Sequence, residues 1–133
     1  MNNEVYVDTQ YLLSALTSRI LAAAHEVHRI LGPGFEEVIY QRALATEFPT
    51  HGLEFTREVS IDVIYQGQKV GIKRVDFVVG DDEGEVLVEI KAKVKLEEVD
   101  FVQTLSYLKA SGHRVGLLIN FGSHRVELKR LAN

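Results

Sequence analysis

Two acidic residues and one lysine stand out in the stretch Arg74 to Ala92, which reads R-V-D-F-V-V-G-D-D-E-G-E-V-L-V-E-I-K-A. Runs rich in Val, Ile and Leu flank Gly80-Asp81-Asp82-Glu83-Gly84, whose residues tolerate tight and left-handed turns. The pattern predicts a β-hairpin closing around Asp81 to Gly84, which sets Asp76 across from Glu89. Side chains alternate along a strand, so Lys91 projects with Glu89, while Val86, Val88 and Ile90 project to the other side. Two carboxylates brought together repel, and each loses hydration if partly buried. Lys91 supplies one compensating charge. A divalent cation would satisfy both acids, and a small set of hard oxygen ligands suits Mg²⁺ or Mn²⁺. A surface salt bridge on an open sheet face would use the same residue types.

The elements that must hold these groups follow from periodicity. Asp8 to Leu31 is predicted as a helix, with Leu12, Leu13, Leu16, Ile20, Ala23, Ala24, Val27 and Leu31 on one apolar stripe, Asp8 or Thr9 as cap, and Gly32-Pro33-Gly34 as stop. His25 and His28, three apart, do not form the four-residue spacing of a zinc-protease helix and are assigned to the surface or the helix end. A second helix is expected from Phe35 to Thr50, with Glu37 and Tyr40 neighbouring on one face. Glu36 and Glu37 suit its N-terminus electrostatically, and Glu36 is expected to face solvent. Strands are expected at Phe55 to Tyr65, Lys69 to Val79 and Glu85 to Ala92, forming an antiparallel meander whose third strand is central. A helix follows Lys93-Val94-Lys95, with Glu97, Glu98 and Asp100 in its first turn and Gln103 and Tyr107 on one face. It crosses over to a buried strand, His113 to Phe121, parallel to the third, and Arg125 to Leu131 is a last short strand.

Asp76 followed thirteen residues later by Glu89-Ile90-Lys91 resembles the D…(D/E)xK signature of the PD-(D/E)XK nuclease superfamily. The proline that usually precedes the aspartate is Val75 here, a departure that leaves the chemistry in place. Gly34, Glu37 and Tyr40 fit the motif that names the GxxExxY family, a small branch of that superfamily. Val88-Glu89-Ile90-Lys91-Ala92, Gln103-Thr104-Leu105-Ser106-Tyr107-Leu108 and Gly116 to Gly122 are also similar to it, so the likeness runs from about Ile20 to Leu131. The resemblance implies a restriction-endonuclease-like core of mixed α/β class, a central mixed sheet flanked by helices in the order α-α-β-β-β-α-β-β. It also implies Glu37 as a third acidic group, the main-chain carbonyl of Ile90 as a further metal ligand and Gln103 as a supporting residue near water or phosphate. Lys91 would orient the attacking water or stabilise the transition state. Tyr40 and Tyr107 are candidates to stack on a base or to hydrogen-bond a carboxylate, or else to fill the core with the hydroxyl satisfied locally.

With 133 residues, 46% hydrophobic and 26% charged, the chain has the size and composition of one globular domain spanning residues 1–133. The absence of cysteine excludes disulfides, thiolate nucleophiles and cysteine zinc sites. No apolar run approaches a membrane span, and Met1-Asn2-Asn3-Glu4 does not resemble a signal peptide, so a cytoplasmic protein is expected. A net charge of −4 argues against coating nucleic acid by charge alone, although the C-terminal segment holds Lys109, Arg114, Arg125, Lys129 and Arg130 against Glu127. Three functions are consistent with these residues: a metal-dependent nuclease acting on DNA or RNA, a catalytically silent nuclease-fold module for binding or assembly, and a hydrolase of another phosphate ester. A homodimer would supply gripping surface that so small a chain lacks.

Overall fold

The computed structural model describes residues 13–133. Helix α1 spans Ser14–Leu31 and turns its stripe of Leu16, Ile20, Ala23, Ala24 and Val27 fully inward. The expected cap at Asp8 or Thr9, and Leu12, lie outside the described residues. After Gly32-Pro33-Gly34, helix α2 covers Glu37–Glu47, shorter than the expected Phe35 to Thr50. Pro49 has no N–H with which to continue the ladder, so Phe48–His51 tightens into a 3₁₀ turn that Gly52 closes at φ 72°.

The strands are β1 (Glu54–Tyr65), β2 (Gln68–Asp81), β3 (Gly84–Lys91), β4 (Val115–Asn120) and β5 (Glu127–Ala132), with α3 (Glu98–Ser111) between β3 and β4. They form one sheet in the order β1-β2-β3-β4-β5, all neighbours antiparallel except the parallel pair β3 and β4. The central place of β3 agrees with its burial from Val86 to Ile90. Gln66 and Gly67, both at positive φ, join β1 to β2 in a two-residue turn matched to the sheet's twist.

The two faces of the sheet bury different clusters. On one, Phe77, Val79, Val86, Val88, Ile90, Leu117 and Ile119 pack against α1 and α2. On the other, Ile61, Val75, Val78 and Leu87 pack with Leu108 of α3. Simple alternation fails at one point: Val75 and Phe77, two residues apart, belong to opposite faces. The strand pair therefore rolls over at Asp76. On β1 the same reversal separates Phe55 from Val59, and Glu58 between them has φ 52°, a left-handed value uncommon for a residue with a Cβ. Val126, just before β5, is half-buried, whereas Leu128, expected on the same face, is exposed at the sheet edge.

Candidate active site

The hairpin register places Asp76 and Glu89 as the sequence predicts, although the turn closes one pair tighter, at Asp81↔Gly84. The β2–β3 ladder stops at Phe77↔Val88, and at the next position side chains take over from backbone pairing. The Asp76 N–H donates to Glu89 Oε1 at 2.8 Å, and the Ile90 N–H donates to Asp76 Oδ2 at 2.8 Å. Each acid thus satisfies a backbone donor freed where the strands part.

Electrostatics at this fork are unfavourable for two anions. Glu89 is only 5% exposed, and burial, then the Asp76 charge, push its carboxyl up to about 8. Burial also raises Asp76, opposed by the Ile90 N–H, the Gln41 amide and the Lys91 charge. Lys91 shares the Glu89 face, but its Nζ donates to Gln103 Oε1 at 3.4 Å and closes no ion pair on either carboxylate. Tyr107, half-buried on the same helix face as Gln103, has its hydroxyl pKa raised by burial and by the Glu89 charge. Glu37 opens α2 and remains exposed at the rim. Partial burial raises its carboxyl, Lys91 opposes this, and Asp76 adds to it.

Tyr40 is placed differently from a base-stacking residue. It is fully buried, its ring stacked on Phe121 at 4.8 Å and 9°. Its hydroxyl donates to the Gly32 carbonyl at 2.5 Å and accepts from the Phe35 N–H at 3.2 Å. No ring face is left for a base. What Tyr40 does is tie the Gly32-Pro33-Gly34 turn to α2, fixing where that helix, and Glu37 with it, begins.

Two residues absent from the sequence-based site belong to it. Gln41, 7% exposed, donates through Nε2 to Asp76 Oδ1 at 3.1 Å, while its Oε1 accepts from Arg57 at 2.7 Å. The guanidinium fixes which end of the amide faces the acid, since only the NH₂ can donate. Asn120 is fully buried at the end of β4. Its Oδ1 accepts from the Lys93 N–H at 3.0 Å and the Gly122 N–H at 3.2 Å, and its Nδ2 donates to the Lys93 carbonyl and Glu127 Oε1, each at 2.8 Å. With the Phe121 N–H donating to the Lys91 carbonyl at 2.9 Å, this clamps the segment that leaves Lys91. The only local signal for either residue was a polar side chain in an otherwise apolar setting.

The donor chemistry fits a hard divalent cation: two carboxylates share a confined spot without a cation paired to them, and Lys91 stands beside them. Among the described residues no three His, Asp or Glu side chains lie close enough to hold an ion by themselves, so main-chain oxygen or water would complete its shell.

A five-stranded mixed sheet with helices on both faces, and acids from adjacent strands where those strands separate, defines a restriction-endonuclease-like α/β fold. A family model described as PD-(D/E)XK nuclease superfamily matches residues 14–131, and the chain belongs to that superfamily. Among solved structures it is similar to the crystal structure of SSO0001, with a TM-score of 0.52 and 16% identity over 94% of this chain. The match spans 62% of that chain, and at this identity it speaks for the fold alone. No curated protein matches significantly. No helix among the described residues is long and apolar enough to cross a membrane.

Proposed function

We propose that this chain is a metal-dependent nuclease of the GxxExxY branch, hydrolysing phosphodiester bonds of nucleic acid, with DNA preferred over RNA as substrate. The observation that carries the reading is the pairing of half-buried Asp76 with buried Glu89, each carboxyl bound to a backbone N–H at the strand fork yet without an ion-paired cation among the described residues. Mg²⁺ or Mn²⁺, when bound, would supply a nucleophilic water at neutral pH and neutralise charge gathering on the phosphoryl oxygens. Asp76, Glu89 and the Ile90 carbonyl are the ligands proposed for it; Glu37, which the resemblance implied as a third acidic ligand, stands too far out at the rim to close a three-acid set and would act on the ion through water.

Lys91 acts electrostatically in this scheme. Its ammonium orients the water and stabilises the pentavalent transition state. Gln103 holds that ammonium from the side. Gln41 holds Asp76 Oδ1 and so fixes the direction of its remaining lone pairs. Tyr107, whose hydroxyl feels the Glu89 charge, is a supporting residue of the site in this reading. A homodimer would provide the surface needed to span a duplex.

The test is cleavage of single-stranded, double-stranded and branched DNA and RNA with Mg²⁺ or Mn²⁺, together with anomalous scattering from a Mn²⁺-soaked crystal. Absence of both turnover and a peak between Asp76 and Glu89 would end the nuclease reading. A second reading, a catalytically silent module for nucleic-acid binding or assembly, draws support from the structural work that both acids already do in closing the strand fork. Calorimetry separates the two: nucleic-acid affinity that survives Asp76→Asn and Glu89→Gln, without turnover in the wild type, favours the module.

A further inference from the structure

The parallel strands β3 and β4 end together, at Lys91↔Asn120, so whatever follows β4 lies on the same end of the sheet as the acidic fork. The chain that follows is Phe121 to Val126, anchored by the bond from the Phe121 N–H to the Lys91 carbonyl. The C-terminal end of α1 meets it there: His28 Nε2 donates to the Ser123 carbonyl at 3.0 Å, and the His28 ring tilts against Phe121 at 6.4 Å. Between helix and loop lies a surface cavity of about 470 Å³ lined by His25, His28, Arg29, His124, Arg125 and Val126.

Five of those six side chains are basic and none is acidic. Among the described residues only Arg29 has an acidic partner, Glu26 one turn back, at 2.6 Å. Arg125 and His124 are exposed and form no ion pair among the described residues. In a chain of net charge −4, both fixed charges of this lining, Arg29 and Arg125, are positive, and the contrast lies at the other end of the sheet. There a cavity of about 530 Å³ is lined by Glu54, Asp81, Asp82 and Glu83 with the single cation Arg19, which is paired to Asp81. One end of the molecule repels a polyanion. The end that carries Asp76 and Glu89 also carries this basic cavity.

We infer that the cavity between the end of α1 and the β4–β5 loop is a phosphate subsite, which holds the backbone of a nucleic-acid strand at a phosphate away from the one at Asp76 and Glu89. The identity of the ligand rests on the nuclease reading; the anionic character rests on the cavity itself. Arg125 and Arg29 contribute the charge, and His28, bound to the Ser123 carbonyl, fixes the loop against the end of α1. Such contacts position a strand without reading its sequence, so the subsite takes any sequence.

The experiment is fluorescence anisotropy with labelled single- and double-stranded oligonucleotides over a salt series, with Ca²⁺ in place of Mg²⁺, on the full chain and on Arg125→Glu and Arg29→Glu. Both positions are exposed, and a thermal melt confirms that the variants fold. Each variant is expected to weaken binding by roughly tenfold and to reduce the salt slope by about one, the signature of a lost phosphate contact. Wild type and variants binding alike would overturn the subsite while leaving the nuclease reading intact. Cavity-dependent binding without cleavage in Mg²⁺ or Mn²⁺ would support the subsite and remove the nuclease reading. No binding by the wild type to any oligonucleotide would also overturn the subsite.

Discussion

Asp76 and Glu89 hold one another's strands: the backbone N–H of Asp76 is bound by the Glu89 carboxylate, and the Asp76 carboxylate binds the N–H of Ile90, next to Glu89, both at 2.8 Å. The same atoms that would grip a cation also finish the β2–β3 pairing where the ladder stops. Substitutions at these positions therefore test two properties at once, and the choice of variant decides which is read.

Glu89→Gln keeps an acceptor oxygen for the Asp76 N–H, Asp76→Asn can accept from only one of its two donors, the Ile90 N–H or the Gln41 amide, and Asp76→Ala leaves both without a partner. The alanine variant should lose about 1–3 kcal/mol of stability for an unsatisfied buried group, Asp76→Asn less than that, and Glu89→Gln least. All three, and Lys91→Ala, should lower metal-dependent cleavage by at least about 10²-fold. Urea melts and cleavage rates on the same preparations separate the effects.

Metal-free stability should fall as pH rises. The Glu89 carboxyl, pushed up to about 8 from 4.5 by burial and by Asp76, is protonated in the folded state and ionised in the unfolded state across that window. The stabilisation it lends is complete below 4.5 and lost on the way to 8. Asp76, also raised, acts in the same direction. The melting temperature in EDTA should be several degrees lower at pH 8 than at pH 5, and Glu89→Gln should flatten that slope. Cation affinity should rise over the same range, because binding displaces the proton.

Gln41→Leu retains bulk but removes the donor to Asp76 and strands Arg57. We expect a loss of about 1–2 kcal/mol and a fall in kcat larger than any change in KM. Arg57→Ala should give a weaker version of the same pattern, since it frees the amide without removing it. An unaltered kcat in Gln41→Leu would show that Asp76 needs no outside support.

Gly122→Ala should be among the most damaging single-methyl changes in the chain. A Cβ there would sit 2.4 Å from both the backbone N and O of Lys93, atoms that the Asn120 amide holds in place. Relief requires parting the ends of β3 and β4, and a loss of about 2 kcal/mol or more is expected. Thermal denaturation tests this, and a melting temperature equal to wild type would refute it.

Asp100→Ala should loosen α3. The buried carboxylate accepts from the Glu97 N–H at 2.8 Å, completing a capping box, and from Lys93 Nζ at 2.9 Å. Burial opposes its ionisation, yet these donors hold its pKa below the usual carboxylate value. Removing it should cost about 1–2 kcal/mol and, because α3 carries Gln103 and Tyr107, should reduce activity as well. Hydrogen exchange along α3 reads the local effect.

Much of this molecule was legible before any coordinates. Eight elements in order, the parallel crossover through α3, the central place of β3 and the alignment of Asp76 with Glu89 follow from local rules. Turn residues set a hairpin's register, and periods of 2 and 3.6 sort side chains onto faces. The early end of α2 at Pro49 is local too, since proline's missing N–H breaks the helical ladder. Three features were decided only by tertiary packing. The strand pair rolls over between Val75 and Phe77, because two separate clusters compete for its apolar residues. Tyr40 turns inward to Phe121, 81 positions away along the chain, and away from any ligand. Gln41 and Arg57 reach Asp76 from α2 and β1. Each depends on groups distant in sequence meeting in space, and no repeat pattern within one segment carries that information. The residue types for the site were written in the chain; the network that holds them in position came from how its elements pack.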